Sequence, residues 1–396
     1  MKLTWEVNKF VQKGDISDDV THLIFGRHFN QEIEPFSLPN SITYLEFGAK
    51  FNQKIKPNSL PNFITHLIFG YEFDQEIVPN SLPNSITHLE FSSDFNQGIK
   101  PNSLPNSITH LKFGYAFRQI IEPASLPNSI THLTFGSSFH QIIQSNTLPN
   151  SITHLTFGIF YIQKIKTNCL PISITHLEFG GSFDQEIESN SSITHLIFNG
   201  SLNRELKPNS LLKNLIYLDF GGCFNQKLGL NFLPNSITHL NFSTNFNQEI
   251  KPNSLPNSII HLKFGYEFNQ EIEPASLPNS ITHLTFGAKY NKKIDPKCLP
   301  NSLEKLIFIN NNQINIINSI PSYINVKPKI YCRLSSNVLI SEYKFDTYIY
   351  HYCAIKNKID FEYDIINKNV DKYGNENIVI RTSLYEPKSM AKSARN

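Results

Sequence analysis

The chain has 396 residues, and its 35 Lys and Arg nearly balance its 33 Asp and Glu, for a formal net charge of +2. That balance excludes a generally basic nucleic-acid binder. With 40% hydrophobic residues the chain can build a core, which excludes wholesale disorder. The anomaly is 31 Phe beside a single Trp.

The N-terminal stretch MKLTWEVNKFVQKGD has no apolar h-region. No run of about 18 apolar residues occurs anywhere, so neither a signal peptide nor a membrane helix is expected. The five cysteines, Cys169, Cys223, Cys298, Cys332 and Cys353, form no CxxC and no zinc-like spacing. An odd number of them fits a reducing compartment, so the expectation is a cytoplasmic chain. Residues 1–19, with Trp5, Val7, Phe10 and Val11, read as an N-terminal cap over the first open edge of the segment that begins at residue 20.

From residue 20 the chain repeats. The string LPNSITHL begins at Leu82, Leu104, Leu126, Leu148, Leu233 and Leu277. Alignment gives a 22-residue unit, I-T-H-L-x-F-G-x-x-F-N-Q-x-I-x-P-x-S-L-P-N-S, in fourteen copies that start between Val20 and Leu303. One step, Ile174 to Ile193, is 19 residues and lacks the Leu-Pro turn after Glu188. The fourth position is Leu and the sixth Phe in all fourteen units; the tenth is Phe in ten. Those two Phe columns hold 24 of the 31 phenylalanines, so the compositional anomaly is a repeat signature.

Within a unit, apolar residues at the fourth and sixth positions alternate with polar or variable ones at the third and fifth, the period of a half-buried strand. Gly26, Gly48, Gly70 and Gly114 follow that strand and are expected to release it through their conformational freedom. The F-N-Q-x-I piece is expected to be a second short extended segment, and P-x-S-L-P-N-S closes the coil with turn residues. No helix of ordinary length fits. A single unit cannot bury its apolar face, so units must stack into a mainly β solenoid with one parallel sheet, about 60 Å long at ~4.8 Å per rung. The Asn column (Asn30, Asn52, Asn96, Asn203, Asn225, Asn247, Asn269, Asn291) is expected to satisfy backbone groups from rung to rung, with breaks at Arg118, His140 and Ile162.

These residues resemble the FNIP repeat family, a short variant of leucine-rich repeats known from amoebae and from the giant viruses that infect them. The matching motif is L-x-F-G-x-x-F-N-Q-x-I followed by S-L-P-N, for example from Leu45 to Ile64, and it covers residues 20–324, about three quarters of the chain. The resemblance implies a solenoid scaffold for protein–protein interaction; for a viral chain the compartment would be the host cytoplasm. Some relatives carry an F-box, which would make a substrate-recruiting adaptor of a ubiquitin ligase. The 19 residues before the first unit are too few for one, which weakens that alternative.

The third position of the unit is His in eleven of fourteen units. By alternation this column lies on the exposed sheet face. Neighbouring imidazoles could share a metal or sense pH, but a uniform column reads better as a ladder of stacked neutral rings. Charged neighbours would repel, so these imidazoles are expected to titrate below their usual value. Variation is concentrated at the fifth, eighth and ninth positions, where solenoids meet ligands. The candidate interaction surface is therefore His66, His88, His110, His132 and His154 with Tyr71, Glu90, Lys112, Tyr115, Glu178, Lys263 and Tyr266. Charges at the thirteenth and fifteenth positions are expected to pair between rungs, Glu32 and Glu34 with Lys54 and Lys56, and Lys164 and Lys166 with Glu186 and Glu188.

From Leu303 the pattern decays, and residues 325–396 read as a C-terminal cap or a small non-repetitive module with a disordered tail. Segments KFDTYIYHYCAIK and NIVIRTSLY have the β-branched and aromatic content of strands. No P-loop, nucleophile elbow or HExxH occurs, so no catalytic site, metal or cofactor is expected. An enzyme seated in the C-terminal module is kept as a further alternative. The whole is expected to be a non-enzymatic monomer that binds an unknown protein partner, with no nucleic acid and no membrane.

Overall fold

The computed structural model describes residues 1–6, 8–188 and 192–309, together with five short strands between 329 and 380. One strand per unit runs from the His position to the fifth or sixth. After β1 (Lys2–Trp5) come β2 (His22–Phe25), β3 (Tyr44–Glu46), β4 (His66–Ile68), β5 (His88–Glu90), β6 (His110–Lys112), β7 (His132–Thr134) and β8 (His154–Thr156). The series continues with β9 (His176–Phe179), β10 (His195–Phe198), β11 (Tyr217–Asp219), β12 (His239–Asn241), β13 (His261–Lys263), β14 (His283–Phe286), β15 (Lys305–Phe308) and β16 (Lys329–Cys332). These sixteen form one parallel sheet in strict sequence order. Register is kept residue for residue, His on His and Leu on Leu, and the 19-residue step does not disturb it: His176 pairs with His195. Strand β1 pairs with β2, so the N-terminal segment adds a rung. Beside it Val11 is buried while Phe10 stays exposed.

The interior is filled by columns. The first-position Ile, the fourth-position Leu and both aromatic columns are nearly inaccessible throughout, as are Ile33, Ile55 and Ile77 of the fourteenth position. Within a unit the two aromatic rings stack, Phe91 on Phe95 at 3.8 Å. Rings also stack on their equivalents in the next unit, Phe91 on Phe113 and Phe95 on Phe117, with an interruption at the unit that carries Leu202. A fully buried Phe is worth about 1.5–3 kcal/mol, so this doubled column is the main apolar support of the coil.

Successive spacings reveal curvature. Between the same two units, the imidazoles of His88 and His110 are 4.2 Å apart, Phe91 and Phe113 5.8 Å, and Phe95 and Phe117 6.2 Å. Strands in a sheet sit ~4.8 Å apart. Spacing thus grows from the His face inwards and beyond, each unit is a wedge, and the sheet lies on the concave side.

Two local expectations are corrected. The F-N-Q-x-I piece is irregular rather than a second strand, with a single isolated bridge between Ile165 and Ile187; its regularity comes from the Asn column instead. The Oδ1 of Asn30 accepts the backbone N–H of Asn52, and Asn52 does the same for Asp74. Apart from Gly221, whose φ is 69°, the glycines that follow the strands are there for space, not for dihedral freedom. A Cβ on Gly70 would sit 1.7 Å from the carbonyl oxygen of Gly48, and one on Gly114 1.5 Å from that of Ser92. The left-handed backbone falls at the seventeenth position, where Asn58, Asn80 and Asn102 have φ of 63–65°. Asn tolerates that region better than most residues.

Of the C-terminal readings, β16 extends the main sheet. Strands β17 (Val338–Leu339) and β18 (Cys353–Ala354) form one antiparallel pair, and β19 (Ile365–Val370) and β20 (Glu376–Ile380) another. The remainder of that module, and the tail, lie outside the described residues.

Candidate interaction face

The concave face is built by the third and fifth positions of every strand. His66, His88, His110, His132 and His154 lie half-buried in β4 to β8 as one continuous stack. The stack continues through His176 to His195 at 4.1 Å. It opens at Tyr217, whose ring is 5.8 Å from His195. The Thr before each His organises the ring. Thr153 Oγ1 lies 3.2 Å from the Thr131 carbonyl oxygen and 2.9 Å from Nδ1 of His154. A hydroxyl has one proton. Both contacts are hydrogen bonds together only when Thr donates to the carbonyl and accepts from Nδ1–H. That arrangement leaves Nε2 as a bare acceptor. Face-to-face rings carry parallel, non-converging lone pairs, a poor geometry for a shared metal. Among the described residues no group of three or more His, Cys, Asp or Glu is placed to hold a metal ion.

Burial is the largest cause that depresses the imidazoles of His88, His110, His132, His154, His195 and His261 below the ordinary value, and repulsion from neighbouring imidazoles adds to it. His176 is pushed down to about 4 for the same reasons. The direction is the one expected from sequence, but desolvation rather than mutual repulsion leads.

At the C-terminal ends of the strands, the fifth to eighth positions of the units of β4 to β10 form a shallow open trough of about 750 Å³. It brings together Tyr71, Glu90, Lys112 and Tyr115, with Ile159 and Asn199 added. Tyr71 and Tyr115 are more than half exposed, at 57% and 53%. Tyr115 meets the edge of Phe160 two units on, at 6.4 Å, across the small side chains of Ser137 and Ser138. Glu90 and Lys112 pair at 2.6 Å. A second concavity, of about 240 Å³, opens on the strands themselves and is lined by His154, His176, Glu178, His195, Ile197 and Tyr217 among others. Asn199 joins the two, its Nδ2 donating to Glu178 Oε1 at 2.6 Å. Lys263 and Tyr266 belong to neither concavity. They sit at β13 and its following turn, where Lys289 Nζ lies 5.5 Å over the Tyr266 ring.

Ile159, Phe160 and Asn199 were not named from the sequence, whereas Ile197 belongs to the fifth-position column read there as variable and Tyr217 to the His column it interrupts. The available signal was departure from the repeat: Tyr replaces His at 217, and two large apolar residues replace small ones at 159 and 160. On the outer side, Lys56 bridges Glu32 and Glu34 as expected, at 2.6 and 3.4 Å, while Lys54 joins no ion pair among the described residues. Lys164 pairs with Glu188, but Glu186 pairs with Arg204 instead of Lys166.

A single parallel sheet on the concave side of a stack of short units, with almost no helix, defines a leucine-rich-repeat-like β-solenoid. The model of the FNIP Repeat family matches residues 8–50, 51–94, 95–138, 117–160, 161–191, 191–223, 224–267, 268–311 and 290–326. The chain belongs to that family. No curated protein matches it. Among solved structures it is similar to CroV588 of the giant virus CroV, described as a novel circular LRR protein structure, at 47% identity and a TM-score of 0.72. The match covers 84% of this chain and 49% of that one, so this chain spans about half the length of its relative. Circularity in that protein fits the wedge shape of the units here. No helix among the described residues is long and apolar enough to cross a membrane.

Proposed function

We propose that the chain is a non-enzymatic scaffold that binds another protein on its concave sheet face and the adjoining trough. The observation that carries this reading is the convergence of the variable positions: Tyr71, Tyr115, Ile159 and Phe160 break an otherwise repetitive surface within a few successive rungs. Exposed aromatic side chains supply large contact area at low entropic cost and are enriched at interfaces. The same rungs carry no convergent set of nucleophile, base and oxyanion donors that would argue for catalysis. Partner capture from a lysate of the producing cell tests the reading. The wild-type chain and an outer-face control, Ile142→Ser, should retain the same protein, and the double variant Tyr115→Ser/Phe160→Ser should lose it. Equal recovery by the double variant would count against the face.

A further inference from the structure

The smaller concavity on β8 to β11 combines three features, which β2 to β4 also bring together around Tyr44 and Glu46, and adds Asn199, whose amide orients Glu178. The ring stack opens there, from 4.1 Å between His176 and His195 to 5.8 Å between His195 and Tyr217. Its fifth-position column places Ile197 between Glu178 and Asp219. Finally, its carboxylate lacks a counter-ion. Glu90, in the same column, is matched by Lys112, but no Lys or Arg among the described residues pairs with Glu178. Burial, with repulsion from other imidazoles, holds the lining imidazoles below their ordinary value, which disfavours their supplying the missing charge.

The lining is also one-sided in hydrogen bonding. Thr175 and Thr194 engage Nδ1 of His176 and His195 at 2.9 Å and lie within reach of the preceding carbonyls at 3.4 and 3.3 Å, which leaves both Nε2 atoms as acceptors. Glu178 adds a carboxylate, oriented by Asn199. An acceptor-rich, net-negative cleft floored by an aliphatic side chain calls for a cationic group that only donates and has an apolar stem. Arginine carries five N–H donors, no acceptor and a three-carbon stem.

We propose that this cleft receives an arginine side chain from an extended segment of a partner protein, with its stem on Ile197 and its guanidinium on Glu178. The proposal rests on the sheet-face reading and specifies one residue of the partner. A peptide segment rather than a free small molecule is favoured because the cleft opens into the trough through the Glu178–Asn199 pair. Backbone lying along the trough can therefore drop one side chain into it.

The test uses the full chain and a displayed library of random twelve-residue peptides. Selected peptides should share Arg at one fixed position. Replacement of that Arg by citrulline, isosteric but uncharged, should weaken binding about tenfold or more, as should Glu178→Gln. Ile197→Lys places a cation from the chain itself beside Glu178, in a column that already accepts Lys at Lys112 and Lys263, and should abolish selection of Arg. Glu46→Gln, in the same column on β3, should leave binding unchanged. Peptides without a fixed basic position, an unchanged affinity in Glu178→Gln, or no selected peptides at all would overturn the arginine site. Peptides lost by Tyr115→Ser but indifferent to Glu178→Gln would overturn it too while leaving the sheet face standing as the binding surface.

Discussion

Tyr161 shows what a departure from a column costs. It occupies a Phe position, stacks on Phe157 at 3.9 Å and is fully buried. Its hydroxyl has no hydrogen-bond partner, and burial pushes its pKa well above the ordinary tyrosine value. A buried hydroxyl without a partner costs about 1–3 kcal/mol. Tyr161→Phe should therefore stabilise the chain by about 1 kcal/mol, seen as a higher denaturant midpoint at unchanged slope. The ring's place was legible in the sequence, because a twenty-two-residue period aligned it with Phe139 and Phe183. The orphaned hydroxyl was not, since its isolation depends on which atoms face it across rungs. The same holds for Glu178: its column was readable, but its want of a counter-ion follows only from the distances between rungs.

At the scale of the unit, the glycines and asparagines do different work from that suggested by their chemistry in isolation. Ser92 and Gly114 approach so closely that a side chain at 114 meets backbone, not a movable side chain. Gly114→Ala should destabilise the stack by about 2 kcal/mol or more, because the rungs must separate locally. Gly98 has nothing within 4 Å of its would-be Cβ, so Gly98→Ala should be neutral or stabilise by up to about 1 kcal/mol. Urea melts of the two variants make the comparison, and equal effects would refute close approach as the reason for Gly114. Period-two alternation located the strand of each repeat unit but not β1 or β16, and the function of the glycine column depends on a neighbour twenty-two residues away, which a local reading does not see. The Asn column was read correctly because its partner is its own equivalent in the next unit. Asn52 Oδ1 serves the N–H of Asp74 and the Nε2 of Gln75, both at 3.0 Å. Asn52→Ala leaves both donors unpaired in a half-buried site and should cost about 1–2 kcal/mol by the same measurement. At Arg118, where the column is broken, Arg118→Ala should have little effect on the melt.

Across the whole molecule, the imidazole column couples the curvature of the solenoid to protons. Seven of these histidines are held below the ordinary imidazole value, His176 at about 4. The unfolded chain has ordinary histidines, so between about pH 6.5 and 4 it binds more protons than the folded chain, and stability must fall as pH falls. The contribution is fully present above the unfolded value and is lost progressively below it. The groups that face the column are its own neighbours together with the fifth-position carboxylates and lysines, of which Glu90 and Lys112 neutralise each other. Carboxylates stabilised by ion pairs, such as Glu186 beside Arg204 and Glu249 beside Lys251, are held below 4.5 and release their contribution only at lower pH. A comparison of melting temperatures at about pH 7.5 and 5 thus isolates the imidazoles, and a drop of roughly 5 °C or more is expected. The triple variant His132→Gln/His154→Gln/His176→Gln removes three adjacent rings from the column and should flatten that dependence. Because the His face is the narrow side of each wedge, with rings 4.1–4.2 Å apart there, charge placed on it should widen the arc. Small-angle scattering at the two pH values should show a larger radius of gyration for the acid form before unfolding begins. An unchanged radius together with a pH-independent melt would show that the column is packing alone.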